Sequence, residues 1–354
     1  MLLHPIKPGC LRFMNSFFIM FKLFIIAMLA VLSFIAVTSQ PERPGKDFVW
    51  GINGHPLTQA DYSDNWDKQI EAIKDLKLNS YRFDVLLNVD GEAKDDDGFT
   101  GILKKLKENH ITPLPAVMQK GFKGVGFDDI YPKAYEQGKA FAAKYGEYIT
   151  VLEVGNEGDN KIIKSANVDG IRAEHYDNEK ARRLVTATKG FIDGLKAVQP
   201  QIKVTLSFSW IHFYYLQMLA DNNVNYDIIG YHWYSNMGDI TNVRKPFGNV
   251  LQLVSKRYNK PIWITEFNYF KGTTKVDFSR QNEFISKNLQ HIIAQGIISG
   301  FFIYELYDQP ALKRRYPTEA NYGLLHKDSS GRYEKKTAYL GFRQLVARYR
   351  SVSF

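Results

Sequence analysis

Two apolar stretches that each end in a glutamate decide the predicted fold: Thr150-Val-Leu-Glu-Val-Gly-Asn-Glu157 and Pro261-Ile-Trp-Ile-Thr-Glu266. Their valine, isoleucine and threonine residues are typical of buried β-strands. Taken singly, each glutamate would be an ordinary carboxylate at the end of a strand. In a barrel of parallel strands, however, the carboxyl ends of all strands meet at one face. If these are the fourth and seventh strands of a barrel, Glu157 and Glu266 point into one pocket.

The rest of the chain supplies the other units of such a barrel. Strands are predicted at residues 48–53, 81–85, 111–117, 149–154, 203–208, 226–234, 261–266 and 301–306. Helices are predicted at residues 66–76, 99–109, 135–145, 179–198, 213–220, 250–258, 280–295 and 337–349. Eight βα units in one series predict an α/β fold with a single (β/α)8 TIM barrel rather than an open sheet. The polar segment 158–177 is predicted to be a loop that shapes the pocket.

The first 40 residues predict a targeting segment. An apolar run at residues 23–37 follows Lys22 and precedes small and polar residues, which is the pattern of a cleaved signal peptide. The protein would then be secreted or periplasmic. The alternative is an uncleaved membrane anchor, because residues 17–37 are just long enough to span a bilayer. The predicted organisation is a signal peptide or anchor (1–40), a linker (41–47) and the barrel domain (48–354).

Charge and cysteine usage argue against several other classes of protein. The formal net charge of +9 falls to +6 when the leader, with Lys7, Arg12 and Lys22, is removed. The remaining basic residues form neither a stripe nor a recognisable module, so no nucleic-acid partner is expected. The single cysteine, Cys10, lies in the leader, and no histidine, cysteine and acidic residues show metal-ligand spacing. We therefore expect a barrel without disulfides, metal or cofactor.

Two carboxyl groups in one pocket are what the hydrolysis of a glycosidic bond requires. One carboxylic acid protonates the leaving oxygen, and the other carboxylate attacks the anomeric carbon or activates a water. The carboxyl groups lie roughly 5 to 5.5 Å apart in retaining enzymes and about 6.5 to 9.5 Å apart in inverting ones. Glu157 and Glu266 are the predicted catalytic pair.

The motifs around these glutamates resemble a known group of enzymes. Gly155-Asn-Glu157 and Thr265-Glu-Phe-Asn268 are similar to the paired motifs of clan A retaining glycoside hydrolases, with family 39-like members nearest. The resemblance covers nearly all of the chain after the leader, from Gly51 to Tyr339. It implies that Glu157 is the general acid/base, that Glu266 is the nucleophile, and that the substrate is a β-linked oligo- or polysaccharide.

The resemblance also implies roles for residues near the two glutamates. Asn156 matches the asparagine that holds the sugar hydroxyl next to the reacting carbon. Arg82 matches an arginine that contacts the nucleophile, where a fixed cation would keep the carboxylate ionised. Alternatively, Asn156 is a turn residue, and Arg82 is a structural residue paired with Asp84 or Glu153.

Further substrate-binding residues are expected on strands six, one and eight. His232 and Tyr234 point the same way because side chains alternate along a strand, and the resemblance implies that the Tyr234 hydroxyl bonds the nucleophile. His55, after strand one, lines the sugar site or is only a hydrogen-bonded rim residue. Tyr304 occupies the place where the clan usually has the tryptophan that forms the floor of the sugar subsite. Glu305 binds substrate or pairs with a basic residue, Lys313 or Arg314.

These observations predict an exported, metal-independent retaining glycoside hydrolase that acts by double displacement. A non-catalytic glycan-binding barrel is the alternative, and the distance between the two glutamates in one cleft discriminates between them. A barrel enzyme of other chemistry, such as an aldolase, would need a Schiff-base lysine or metal ligands at strand ends. No convincing set of such residues is visible in the sequence.

Overall fold

Eight parallel strands close into a barrel in the computed structural model, which describes residues 44–63 and 65–350. The strands follow one another in chain order, and β1 completes the ring by pairing with β8. The predicted (β/α)8 barrel is therefore confirmed. The strands are β1 (Val49–Gly54), β2 (Ser80–Leu86), β3 (Thr112–Met118), β4 (Val151–Val154), β5 (Lys203–Ser209), β6 (Ile228–Tyr234), β7 (Ile262–Asn268) and β8 (Ile298–Ile303).

Helices connect successive strands. They are α1 (Ala60–Ser63), α2 (Trp66–Asp75), α3 (Asp96–Glu108), α4 (Phe127–Tyr145), α5 (Gly158–Ile162), α6 (Asn178–Val198), α7 (Phe213–Asp221), α8 (Val250–Tyr258), α9 (Phe278–Ile293) and α10 (Thr337–Arg350). A short antiparallel hairpin, β9 (Leu325–Lys327) and β10 (Tyr333–Lys335), precedes α10. Several helices begin at an aspartate or asparagine cap, as at Asp95, Asp177 and Asp277, whose side chains accept a backbone N–H of the first turn.

The largest departure from the predicted elements is in α4, which begins eight residues earlier than expected. Pro132 inside the helix removes a backbone donor and argues against a helix on sequence alone. The helix nevertheless packs closely on α6, because glycines allow the two backbones to approach. A Cβ on Gly194 would lie 2.0 Å from the carbonyl oxygen of Tyr135, and one on Gly138 would lie 2.1 Å from that of Phe191. Tertiary packing thus overrides the local signal.

Three other segments also differ from the prediction. The segment 158–177, expected as a loop, contains helix α5 and a 3-10 turn at Ala173–His175. Strand β8 ends at Ile303, three residues before the predicted end, so Tyr304 lies just beyond the strand. The hairpin β9–β10 was not predicted, because three-residue strands show no periodicity.

The barrel interior is apolar over part of its depth. A small cluster of Leu114, Val151, Ile228, Trp263 and Phe302 is separate from the main core. Because these residues come from strands on opposite sides of the ring, the cluster fills the inside of the barrel. The rest of the interior is polar and charged, and it leads to the carboxyl ends of the strands.

The predicted leader lies outside the described residues, and its cleavage stays a prediction. The described residues belong to one compact unit, Arg43–Phe354. Within residues 44–63 and 65–350, no helix combines the length and the apolar character needed to cross a membrane.

Candidate active site

A cavity of about 320 Å³ lies at the carboxyl ends of the strands. Seven of the nine predicted site residues line it: His55, Arg82, Asn156, Glu157, Tyr234, Glu266 and Tyr304. The other two, His232 and Glu305, are completely buried behind the cavity wall. The strand order therefore brings together residues that are far apart in the sequence, as the barrel prediction required.

Arg82, on β2, is the centre of a buried charge network below the cavity. Its Nη1 donates to Glu266 Oε1 at 2.8 Å, and its Nη2 and Nε donate to the two oxygens of Glu153 at 2.6 and 3.2 Å. The remaining N–H groups reach the Oδ1 atoms of Asn53 (2.6 Å) and Asn156 (2.8 Å). All five guanidinium N–H groups are thus used. The predicted contact with Glu266 and the alternative pairing with Glu153 are both present, whereas Asp84 is not a partner.

Replacing Arg82 with methionine is expected to destabilise the fold by roughly 3 to 5 kcal/mol, because two buried carboxylates would lose their cation. Urea denaturation followed by circular dichroism measures this change. The double variant Arg82→Met/Glu153→Gln should recover part of the loss, since only one buried carboxylate then remains unpaired. A loss below about 1 kcal/mol, as for exposed ion pairs, would show that the network contributes little to stability.

Glu266, on β7, is held in one orientation from two further sides. The hydroxyl of Tyr234 donates to Oε2 at 2.5 Å, and His232 Nδ1 lies 3.4 Å from the same oxygen. The Glu266 side chain is 8% exposed, and that remaining surface faces the cavity. A carboxylate with fixed donors and one open side has the geometry of a nucleophile.

Glu157 follows β4 and is held by different donors. Asn160 Nδ2 donates to Glu157 Oε2 at 2.8 Å, and His232 Nδ1 lies 3.0 Å from Oε1. The Glu157 backbone is left-handed, with φ 43°, and its N–H donates to Ser207 Oγ at 3.0 Å. Positive φ is uncommon for a residue with a side chain and clusters at functional sites. The conformation turns the chain sharply at the end of the strand.

His232 lies between the two glutamates, and its Nδ1 is within hydrogen-bond reach of both. Burial alone would lower the pKa of His232, but the charges of Glu266 and Glu157 and the hydrogen bond to Glu157 raise it. Burial would raise the pKa of Glu157, but the hydrogen bond and charge of His232 lower it to about 2. Among the described residues His232 Nε2 has no hydrogen-bond partner, so Nδ1 is the ring nitrogen that contacts the carboxylates.

His55 also lines the cavity and is held by two carboxylates. Its Nδ1 lies 2.6 Å from Asp84 Oδ1, and its Nε2 lies 3.3 Å from Glu305 Oε2. Burial alone would lower the pKa of His55, but these two carboxylates raise it to about 10, so the imidazole is a cation. Glu305 also accepts from the hydroxyl of Tyr62 at 2.8 Å. Glu305 therefore pairs with His55, and not with Lys313 or Arg314 as one reading of the sequence expected.

Three tyrosines form an aromatic wall beside Glu266. Tyr304 and Tyr322 meet edge to face with ring centroids 5.4 Å apart, and Tyr234 meets Tyr322 at 5.7 Å. Tyr304 thus lies in the wall of the cavity, and its role as the floor of a sugar subsite stays a prediction. Glu319 lines the same wall, and burial together with the charges of Glu305 and Glu266 raises its pKa to about 7.

The sequence missed several residues of this site, among them Glu319, Tyr322, Asn53, Asp84 as the partner of His55, and Asn160. Glu319 and Tyr322 lie in the region after β8, where the sequence shows no periodic pattern of apolar residues. Asn160 lies on α5, which was expected to be part of a loop. Such residues are expected after the carboxyl ends of the strands, but the loop conformations determine which of them reach the cavity.

One group within the described residues could also hold a metal ion. Oxygen atoms of Glu157 and Glu266 and a ring nitrogen of His232 all lie within 4.8 Å of one another. These three side chains come from three different strands, so their proximity does not show as a ligand motif in the sequence. Carboxylates and imidazole suit several divalent transition metals.

Comparisons with known proteins agree with this geometry. The family described as "Glycosyl hydrolase catalytic core" matches residues 156–331. No curated protein matches the chain significantly. Among solved structures, a family 1 β-glucosidase from Thermotoga maritima is similar in fold, with a TM-score of 0.64 at 14% identity, covering 88% of this chain and 99% of that one.

Two further structures of a β-glucosidase from Thermotoga maritima give the same result. The complex with galacto-hydroximolactam has a TM-score of 0.65 and the complex with noeuromycin one of 0.64, both at 15% identity over 87% of this chain and 99% of theirs. At such low identity these matches show the fold alone, and the similarity to glycosyl hydrolases rests on the family match over residues 156–331. None of the matches points specifically to family 39. Residues 156–331 are therefore similar to a glycosyl hydrolase catalytic core, and they lie on a (β/α)8 barrel.

Proposed function

We propose that this protein is a retaining glycoside hydrolase that cleaves β-glycosidic bonds in an oligo- or polysaccharide, with Glu157 as acid/base and Glu266 as nucleophile. The observation that carries the proposal is the placement of the two glutamates. They stand at the ends of β4 and β7 in one cavity, with side-chain oxygens within 4.8 Å of each other. This short separation fits direct attack by a carboxylate and leaves little room for the water that an inverting enzyme needs.

In the first step, a carboxylate oxygen of Glu266 attacks the anomeric carbon while Glu157 gives its proton to the glycosidic oxygen. The leaving group departs as an alcohol, and the sugar stays bound to Glu266 as an ester. In the second step, Glu157 takes a proton from a water, which attacks the anomeric carbon and releases Glu266 as a carboxylate. Arg82 and Tyr234 stabilise the negative charge on Glu266 before and after the ester exists.

The β linkage is supported by the structures of similar fold, which are β-glucosidases. The aromatic wall of Tyr304 and Tyr322 suits the apolar face of a pyranose ring. The carboxylate of Asp84, which lines the cavity beside His55, offers an acceptor to sugar hydroxyls from that side.

Proton NMR of the reaction tests this proposal. Hydrolysis of a panel of aryl β-glycosides and β-linked oligosaccharides should release the β-anomer first, followed by slow mutarotation. Release of the α-anomer first would overturn retention. Absence of hydrolysis across the panel, combined with binding of the same oligosaccharides, would favour the glycan-binding barrel that the sequence left as the alternative.

We infer that Glu157 and His232 share the acid proton, which gives a prediction for the pH dependence. The acid form of the site holds one proton on the Glu157–His232 pair, and the pair loses it above 6.5, the ordinary pKa of histidine, because the pKa of His232 is raised. In His232→Gln the proton must reside on Glu157 alone, whose ordinary pKa is 4.5. The basic limb of kcat/KM against pH should therefore move to lower pH.

The matched control for this pH profile is His326→Gln, on the distant hairpin, which should leave the limb in place. If the basic limb of kcat/KM in His232→Gln lies at the same pH as in the wild type, or at higher pH, the inference of a shared proton is contradicted.

We also propose that the enzyme is exported, with residues 1–40 acting as a signal peptide or, if uncleaved, as a membrane anchor. N-terminal sequencing of the mature protein distinguishes the two. A new N-terminus close to residue 40 supports cleavage, whereas an intact leader in the membrane fraction supports the anchor.

A further inference from the structure

A second, larger cavity of about 590 Å³ opens directly beside the first. Asn236 and Met237, which follow β6, line both cavities and form the border between them. The other walls come from the segment after β4 and from the end of β5. Apart from Asn160, which donates to Glu157, the residues of these walls have no role in the double displacement described above.

The second cavity lies on the side of the acid/base. Asn160 lines it and donates to Glu157 Oε2 at 2.8 Å, while the Asn160 Oδ1 accepts from Ser209 Oγ at 3.3 Å. A general acid must stand within hydrogen-bond reach of the oxygen that leaves. The leaving group of the substrate therefore extends past Glu157. Because Asn160 contacts Glu157 and also lines the second cavity, the leaving group extends toward that cavity.

Trp210, at the end of β5, is the large aromatic residue of the cavity wall. It is half-buried and adopts φ 50°, a backbone conformation that bulky residues rarely adopt. The hydroxyl of Tyr231 donates to its carbonyl oxygen, and its ring meets His212 edge to face with centroids 5.8 Å apart. A strained conformation that is held by its surroundings is a feature of ligand sites.

Buried hydrogen bonds make this wall rigid. The Oδ2 of Asp159, which is fully buried, accepts from the backbone N–H of Ser209 at 3.1 Å and lies 2.5 Å from His212 Nδ1. These bonds fix both residues that flank Trp210 in the wall. A preformed cavity binds a ligand without a cost for ordering its walls.

We propose that this cavity binds the sugar on the leaving-group side of the scissile bond, with Trp210 as the platform on which its ring stacks. The inference rests on the proposed function, because it takes Glu157 to be the acid/base. Asn160, Ser165 and Asn236 offer donors and acceptors for hydroxyl groups, and the indole matches the apolar face of a pyranose. The natural leaving group is then a sugar, and the substrate is an oligosaccharide or polysaccharide rather than the glycoside of a small alcohol.

The test compares two substrates with the same sugar at the reacting position: a 4-nitrophenyl β-glycoside and the matching β-linked tetrasaccharide. In Trp210→Ala, kcat/KM for the tetrasaccharide should fall about tenfold more than kcat/KM for the aryl glycoside, since only the former loses a stacked ring. Trp210→Phe should recover most of the difference because it keeps an aromatic face. Tyr131→Ala, which removes an exposed aromatic on α4, is the control.

The thermal midpoint of each variant shows whether it is folded. Equal losses on both substrates in a folded Trp210→Ala variant, or no loss on either, would overturn the subsite. If wild type hydrolyses neither substrate, isothermal titration calorimetry with the tetrasaccharide decides the question. Binding that Trp210→Ala weakens would retain the sugar site while the hydrolase proposal fails, and equal binding or none would overturn the site itself.

Discussion

Replacing Glu266 with alanine is expected to lower kcat on the order of 10⁴- to 10⁶-fold, as the loss of a nucleophile does in other enzymes that form covalent intermediates. The first step cannot form the glycosyl ester without this carboxylate. Arg82, Tyr234 and His232 all contact Glu266 in the structure, and in the variant they would surround an empty space. Steady-state kinetics on an aryl β-glycoside measures the loss.

Azide identifies the role of the missing group, because it is small enough to enter that space. With Glu266→Ala, azide should attack the anomeric carbon from the side of the lost carboxylate and give an α-glycosyl azide. Glu174→Ala, which removes an exposed carboxylate on the segment after β4, should keep the wild-type rate. Full activity of Glu266→Ala, or a β-glycosyl azide from it, would mean that another residue is the nucleophile.

Replacing Glu157 with alanine should have an effect that depends on the leaving group. General acid catalysis contributes about 10²- to 10⁴-fold, and a sugar leaving group needs all of it because its alkoxide is a strong base. A 2,4-dinitrophenyl group leaves without protonation, so its release should be nearly as fast as in the wild type. Hydrolysis of the glycosyl ester then becomes slow, because no base activates the water.

Two measurements check the role of Glu157. Pre-steady-state kinetics with the dinitrophenyl glycoside should show a burst of phenolate followed by slow turnover, and azide should accelerate turnover and give a β-glycosyl azide. Asn160→Ala keeps the carboxylate while removing one of its hydrogen-bond donors, so its loss should be much smaller. An equal loss on all leaving groups in Glu157→Ala would assign the acid role elsewhere.

The barrel could be predicted from the sequence because each unit carries its own signal. Runs such as residues 203–208 and 226–234 are apolar and rich in branched residues, and amphipathic helices separate them. The bounds of α4 were wrong because Pro132 obscures the start of the helix, and the glycine contacts with α6 that stabilise it are not visible in one sequence. The hairpin before α10 was missed because its strands are too short for any periodicity.

The candidate site could be predicted only where residues stand at the ends of strands. Glu157, Glu266, Arg82 and Tyr234 follow directly from strand position and motif, and the structure places them around one cavity. Glu319 and Trp210 depend on loop conformation and on left-handed backbone, which a single sequence does not reveal. The pairing of Glu305 with His55 could not be predicted either, because the two residues lie near opposite ends of the barrel domain in the sequence.

The side chain of Asn53 connects strands that are far apart in the sequence, and the active site depends on these connections. Its amide donates to the carbonyl oxygens of Thr265 and Ile303 while its oxygen accepts from Arg82. One asparagine on the first strand thus bridges the second, seventh and eighth. A fragment that carries both glutamates but lacks β1 and β2 would have neither this bridge nor the guanidinium. Two separately expressed halves, divided before β4, should each be inert and should regain turnover only when they reassociate, since neither half holds a complete set of charges.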